Sequence, residues 1–351
     1  MRVFIAHILP KDIALKYKLS IAACNFSWNL IEGGVFDKVY SILPSNVKGD
    51  IHDIPKDGLV YCRLRNMGGL FRFMAVFIEN LVAFKSIPSG SQVWLYNLTI
   101  LNTFLYALLR LFKRHTRIYV IVLDYTPSQN LLQKIFLWQV NHADGNVLLA
   151  QSPLFTNQNT VCLPGITPSG SNTYPIQESI NKEFLLSGVL NERIAMLEMV
   201  LEAFAELPEL TLHLTGEILE SSLVQKYSAF KNIHFHGQLS YSDYLDVLHH
   251  VSFQLSTRHP DYPENQCNFP SKIIEALLHN RIVISTIHYE QLGGIRYFEV
   301  HTDMDQFKQD ILAICSKQEA ELKTYANQGR MVANQFNPQA WNNAMTMIEN
   351  R

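Results

Sequence analysis

Charge is scarce in this sequence. Of its 351 residues 17% are Asp, Glu, Lys or Arg, and 29 basic residues against 31 acidic ones leave a formal net charge of −2. With 48% hydrophobic residues, 16 Gly and 14 Pro, that excludes a disordered, collagen-like or coiled-coil chain, and no nucleic-acid partner is expected. Cysteine is equally sparse: Cys24, Cys62, Cys162, Cys267 and Cys315 make an odd set without a CxxC pair, unsuited to a disulfide framework or a structural zinc site, so a reducing, cytoplasmic compartment is expected. No GxGxxG follows any strand-like run, which disfavours a dinucleotide-dependent dehydrogenase. Long hydrophobic runs are missing too. The stretches Met67 to Phe84 and Ile100 to Phe112 are interrupted by Arg72, Glu79 and Arg110, short of the ~20 residues that span a bilayer. The opening VFIAHILP is broken by Lys11 and Asp12 and reads as a first strand rather than an export signal.

What is present is a repeated alternation. RVFIAHI, KVYSILP, GLVYCRL, QVWLYNL, RIYVIVL and GNVLLAQ are strand-like, with amphipathic segments between most of them, and RIYVIVL is apolar throughout, as a parallel strand covered on both faces requires. The Pro/Gly/Ser-rich LPGITPSGSNTYP, Leu163 to Pro175, breaks the pattern. It resumes with EFLLSG, a helix from about Asn191 whose Ile194, Leu197, Leu201 and Phe204 share a face, LTLHLTG, NIHFHGQL, the helix SYSDYLDVLHH, VSFQLST and a last helix and strand in FPSKIIEALLHNRIVIST. The expected fold is α/β with two doubly wound parallel-sheet domains: 1–165, a linker at 166–177, 178–336, and a closing helix at 337–351. A ligand cleft is expected at the carboxyl ends of the strands.

Net charge hides an asymmetry, +6 over residues 1–180 and −8 over 181–351. The basic cluster Arg110, Lys113, Arg114 and Arg117 ends an apolar helix; it reads either as a solvated helix end or as a contact for an anionic membrane surface.

Chemistry concentrates between Arg258 and Ser285. Pro270 and Ser271 open a helix, with Ser271 as its N-cap, so the positive end of the dipole and the charge of Lys272 offer a place for an anion. One turn on, Glu275 can accept paired hydroxyls such as those of a ribose. Phosphate beside ribose describes a nucleotide.

The block FPSKIIEALLHNRIVIST resembles the F-P-S-K-x-x-E-Y-x-A-x-G-x-P-V-I-S-T motif of glycosyltransferases of the GT-B fold, specifically the retaining group-1, GT4-like enzymes of bacterial polysaccharide biosynthesis. Weaker similarities run through GNVLLAQS, FLLSGVLNER, LHLTG, NIHFHGQLSYSDYLDVL and Phe336 to Trp341. The resemblance implies two Rossmann-like domains and a nucleotide-sugar donor, UDP-hexose, as substrate with no cofactor and no metal. Glu275 would lie on the ribose; Pro270, Ser271 and Lys272 near the diphosphate; Gly188 and Arg193 in the diphosphate loop; Gly216 and Gly237 around the nucleoside; and Glu264, Asn268 and Arg258 by the sugar. Lys272, Arg193 and Asp124 would be the catalytic set, moving a hexosyl group to a saccharide or lipid-linked saccharide at the inner face of the cell membrane.

The sequence departs from the motif in places. The first glutamate of the family's E-x7-E pair falls on Cys267, with Glu264 an acidic alternative; Asn280 replaces a glycine at a helix C′ position where αL is needed; Ile282 replaces a proline. No glycine-rich loop follows the first strand, and Gly33 and Gly34 read as a helix C-cap. Asp124 could orient an acceptor hydroxyl or cap the helix before Pro127. Asp303-Met304-Asp305 spells a DxD but reads as an acidic helix start. His234 and His236 share a strand face without a third placed ligand, and His249-His250 lack a catalytic partner. Two alternatives stay open: a nucleotide-sugar epimerase of the same fold, and a non-catalytic nucleotide- or lipid-binding subunit of a transferase complex.

Overall fold

The computed structural model describes residues 1–17, 19–44, 47, 58–62, 70–170, 174–218 and 220–351. Residues 171–173 of the expected linker lie outside the described residues, as do Arg63 and Leu64 of the third apolar run and Met67 to Gly69 at the head of the stretch to Phe84. The chain divides into two compact units. One comprises Met1–Ser169, Cys267–Phe269 and Phe336–Arg351, the other Gly170–Gln266 and Pro270–Gln335. Against the expected span 178–336, Cys267–Phe269 therefore group with the first unit.

The first unit holds seven strands: β1 (Arg2–Ala6), β2 (Lys38–Ser41), β3 (Leu59–Tyr61), β4 (Gln92–Tyr96), β5 (Arg117–Val122), β6 (Gly145–Leu148) and β7 (Thr160–Cys162), in the order β3-β2-β1-β4-β5-β6-β7, all parallel. In β5 only Arg117 is exposed and Ile118 to Val122 are buried, as its continuous apolar run requires. The second unit holds β8 (Glu183–Leu190), β9 (Thr211–Ile218), β10 (Ile233–Gly237), β11 (Phe253–Ser256), β12 (Ile282–Ser285) and β13 (Phe298–Glu299), in the parallel order β10-β9-β8-β11-β12-β13. Phe184, Phe204, Leu212, Phe253, Ile282 and Phe307 pack in its core. The strand order reverses between β1 and β4 in one sheet and between β8 and β11 in the other, the places where doubly wound sheets open a crevice. Edge strands β7 and β13, of three and two residues, are too short to leave a periodic signal.

Several local expectations hold. Gly33 caps the helix Ile21–Glu32 and Gly34 follows at φ +68°. Asp303 caps the helix Met304–Cys315, its carboxylate accepting the N–H groups of Asp305 and Gln306, each at 3.1 Å. Other expectations need correction. The helix expected from Asn191 is two helices, Glu192–Ala195 and Leu197–Ala205, broken where Met196 turns into the left-handed region at φ +45°. Asn130, not Asp124, caps the helix Leu131–Asn141, accepting the Leu132 N–H at 2.9 Å.

Three of the four clustered cations serve the first unit internally. Arg110 pairs with Asp144 at 3.0 Å, Lys113 donates to the carbonyls of Phe84 and Ile87 at the end of the helix Leu70–Ser86, and Arg117 donates to Glu349 O at 2.8 Å. The helix Leu70–Ser86 packs on the helix Thr103–Phe112 through Asn80, which donates to Leu101 O and accepts the Leu105 N–H, both at 2.8 Å. Its other side exposes Phe71, Phe73, Met74, Phe77, Ile78 and Val82. Among the described residues no helix is long and apolar enough to cross a membrane.

Candidate nucleotide site

Three glycines lie toward the carboxyl ends of three adjacent strands of the second unit. Gly188 in β8 and Gly216 in β9 pair in register, both at φ +122°, and Gly237 closes β10 at φ +66°. A Cβ on Gly216 would collide with the Gly188 backbone, whereas one on Gly188 or Gly237 would meet nothing within 4 Å. Glycine is thus required conformationally at all three and sterically at the middle one, and the result is a shelf of bare backbone at the strand ends.

On the other side of β8, β11 leads into the helix Ser271–Leu278. Its N-cap is Pro270 in extended geometry (φ −75°, ψ 110°) and no side chain caps it, so Ser271 is the first helical residue and not the cap the sequence suggested. The uncapped first turn keeps its N–H groups for water or a ligand; Ile273 N–H alone turns back, to Pro270 O at 3.0 Å. At the far end Asn280 adopts φ +61°, with its N–H on Leu277 O (3.0 Å) and that of Arg281 on Ala276 O (2.9 Å), a Schellman closure.

Glu275 does not point freely outward. Tyr241 Oη donates to Oε1 at 3.1 Å, Tyr244 Oη to Oε2 at 3.0 Å, and Lys272 Nζ to Oε2 at 2.9 Å, while the Lys272 ammonium lies 3.8 Å from the centre of the Tyr244 ring. Burial, reinforced by the Glu275 carboxylate, raises the pKa of both phenols, so they stay protonated as donors. An ionised carboxylate has about four lone-pair sites, so Glu275 has room for a further donor here. The two tyrosines were absent from the sequence reading. The one available signal was their i, i+3 spacing in SYSDYLDVL, which puts both on one helix face.

Arg193 and Glu264, proposed for different parts of the donor, pair with each other: Nε donates to Oε1, and the guanidinium lies 4.9 Å from the Tyr262 ring centre. That bond holds the Glu264 carboxyl below the usual range. Buried Asn265, also missed, donates to the carbonyls of Arg193 (3.0 Å) and His259 (2.9 Å), and Thr257 donates to Ala195 O at 2.6 Å, fastening the loop after β11 to the one after β8. Arg258 is anchored by its backbone, its N–H on Thr286 Oγ1 at 2.7 Å.

Asn268 and Asp124 fall in the first unit. Asn268 Oδ1 accepts the Tyr125 N–H at 2.6 Å, one residue beyond Asp124 at the carboxyl end of β5, and Cys267 is buried with its thiol 3.4 Å from Ser152 Oγ. The structure thus gathers two pairs in the second unit, Lys272 with Glu275 and Arg193 with Glu264, while in the first unit Asn268 meets Tyr125, the residue after Asp124.

No protein-family model matches the sequence, and no curated protein does. Solved structures do. Sucrose-phosphate synthase from Thermosynechococcus elongatus superposes with a TM-score of 0.68 and 16% identity, over 100% of this chain and 98% of the other. The apo lipopolysaccharide outer core galactosyltransferase WaaB gives 0.60 and 11%, over 99% of each chain. A variant of S. aureus TarM, solved with fondaparinux, α-GlcNAc-glycerol and UDP, gives 0.58 and 13% over 78% of this chain, which spans only 59% of the TarM chain. The fold is GT-B. At such identities the likeness is one of fold, two Rossmann-like units each on an all-parallel sheet, and the activities belong to the neighbours.

Proposed function

We propose that this chain is a retaining, metal-independent GT4-like glycosyltransferase that moves a hexosyl group from a nucleotide sugar, UDP-hexose, to a saccharide acceptor. The observation that carries the reading is the second unit's arrangement of an uncapped helix start with Lys272 beside it, Glu275 one turn on, and a glycine shelf on the neighbouring strand ends. Such a place suits a diphosphate next to a ribose. The helix terminus and Lys272, with Arg193, stabilise charge building on the departing diphosphate, which needs no divalent ion. As the bond from the anomeric carbon to the diphosphate oxygen breaks, the sugar becomes oxocarbenium-like, the acceptor hydroxyl forms the new glycosidic bond, and an oxygen of the leaving phosphate accepts its proton. Asp124 orients the acceptor, and Asp303, occupied in capping a helix, supports no DxD metal site. A lipid-linked acceptor at the inner membrane face is proposed from the exposed apolar side of the helix Leu70–Ser86.

One observation favours a second reading, a nucleotide-binding subunit without turnover. Cys267 stands where the family's first glutamate would be and lies buried in the first unit, while Glu264 is held by Arg193. Turnover that requires an added saccharide separates transferase from such a subunit, and from an epimerase, which needs donor alone.

The site itself is tested by titrating UDP and uridine into wild type, Lys272→Ala and Glu275→Ala, with and without Mg²⁺. Glu275→Ala should weaken both ligands at least about tenfold, the factor that ~1.4 kcal/mol represents. Lys272→Ala should weaken UDP far more than uridine, and Mg²⁺ should change neither affinity. Equal, small effects of both substitutions on both ligands would remove the nucleotide site.

A further inference from the structure

A second cluster of chemistry-bearing side chains occupies one face of the second sheet, apart from the nucleotide residues. Glu183 opens β8, about 16 Å along the strand from Gly188 at ~3.3 Å per residue. Its Oε2 lies 3.0 Å from His213 Nε2 in β9 and 2.9 Å from His250 Nε2 at the end of the helix Tyr241–His250, and the three atoms fall within 4.8 Å of one another. On the far side of the same ring, His213 Nδ1 faces His236 Nε2 at 2.9 Å, and His234 stacks on it with centroids 5.1 Å apart. Register explains the convergence. Leu185 pairs with His213 and His213 with His234, so Glu183, two residues before Leu185, shares their face. The pairing of β10 slips between Phe235 and Gly237, where His236 meets His213.

We propose that Glu183, His213 and His250 form a binding site for a divalent transition-metal ion of the zinc class, with His236 as the outer partner that orients His213. Two imidazole nitrogens and one carboxylate oxygen, with a fourth position left to water, are a set that zinc accepts. Bonds of 2.0–2.1 Å place neighbouring tetrahedral ligands about 3.3 Å apart, so the Glu183 oxygen must withdraw by a few tenths of an ångström and the two imidazole nitrogens, which lie within 4.8 Å, must draw together around the ion. His250 is 64% exposed at a helix end and can follow. With the ion on Nε2, the His213 proton resides on Nδ1 and is donated to His236 Nε2, the outer-shell hydrogen bond that fixes a ligating imidazole. The ion would tie β8 and β9 to the last residue of the helix whose first turn carries Tyr241 and Tyr244. The proposal does not depend on the transferase reading.

The test uses the full chain without a histidine tag, stripped with chelator and then dialysed against Zn²⁺. One equivalent should bind, and the unfolding temperature should rise with Zn²⁺ but not with Mg²⁺. Co²⁺ in place of Zn²⁺ should show the intense visible bands of four-coordinate cobalt. His250→Ala removes an exposed side chain and Glu183→Gln keeps its shape, so both should fold; each should lower Zn²⁺ affinity at least about tenfold, and the cobalt bands should be lost in His250→Ala. Wild type that retains no zinc, or zinc held as tightly by both variants as by wild type, would overturn the site.

Discussion

Two histidines show how single side chains set a pH limit. His7 Nδ1–H donates to Ile42 O at 2.8 Å, leaving Nε2 to accept from Asn102 Nδ2 at 3.3 Å, and burial, against the raising pull of that carbonyl, lowers its pKa to about 4. His279 lies 3.7 Å from the Tyr174 ring by centroids and 2.7 Å from His249 Nε2 through its own Nδ1; burial first, then His249, lowers it to about 4 as well. In the unfolded chain both revert to about 6.5. Between pH 6.5 and 4 unfolding therefore takes up protons, so the stability is fully present above pH 6.5 and declines as pH falls toward 4, by about 1.4 kcal/mol per pH unit for each histidine. Urea unfolding at intervals across that window, in wild type, His7→Gln and His279→Gln, should show each variant with a shallower pH slope; unchanged slopes in both would refute the assignment. Asn280, next to His279, shows what was legible at this scale. Its left-handed backbone was foreseeable because few residue types suit it. That its side chain also accepts the Gly329 N–H at 2.8 Å and donates to Tyr174 O at 2.9 Å was not, since those partners are 49 and 106 positions away. Glu275 was singled out for its place one turn after a helix start, and Tyr241 and Tyr244 were missed because they lie 34 and 31 positions from it. Ser271 was misplaced by one position: the extended backbone that precedes the helix falls at Pro270, so the serine is already helical.

At the scale of elements, the alternating pattern located most strands, and the polar positions His213 and Thr215 of LTLHLTG are buried within the sheet along with its leucines. Membrane contact was expected from the basic cluster, three of whose four cations have partners within the first unit. Arg110, Lys113 and Arg117 are engaged inside the first unit, while Phe71 and Met74 stand 67% and 60% exposed on one helix and Leu111 and Phe112 66% and 69% on its neighbour. Burying a Phe side chain in an apolar phase is worth about 1.5–3 kcal/mol, more than an exposed charge contributes once salt has screened it. If this face carries the membrane contact proposed above, co-sedimentation with anionic liposomes should fall at least about tenfold in Phe71→Ser/Phe112→Ser and only modestly in Arg114→Ala or at raised salt. Binding abolished by salt but indifferent to the two phenylalanines would return the contact to the basic cluster.

Across the whole molecule, the sequence marked a closing helix at 337–351 but held no sign of which unit it completes. It belongs to the first. In the helix Pro338–Glu349, Trp341 is fully buried with its Nε1–H on Gly165 O at 2.8 Å and its ring 5.1 Å from Phe26, and Glu349 accepts from Arg2 Nη2 at 2.5 Å and from Trp94 Nε1 at 2.8 Å. Trp341→Ala should therefore cost the first unit about 3–5 kcal/mol. Limited proteolysis read by mass spectrometry should find the new cuts within 1–169, while UDP still protects 174–266; new cuts confined to the second unit would contradict the assignment.

The same feature bears on synthesis. Chains that fold as they leave the ribosome usually settle their amino-terminal domain first. Here β1 emerges at the outset, yet the indole that plugs its unit and the carboxylate that receives Arg2 are made more than three hundred residues later. The half translated first is the last able to close. Its core stays incomplete until the helix Pro338–Glu349 has been made, whereas the second unit has its last residue at Gln335.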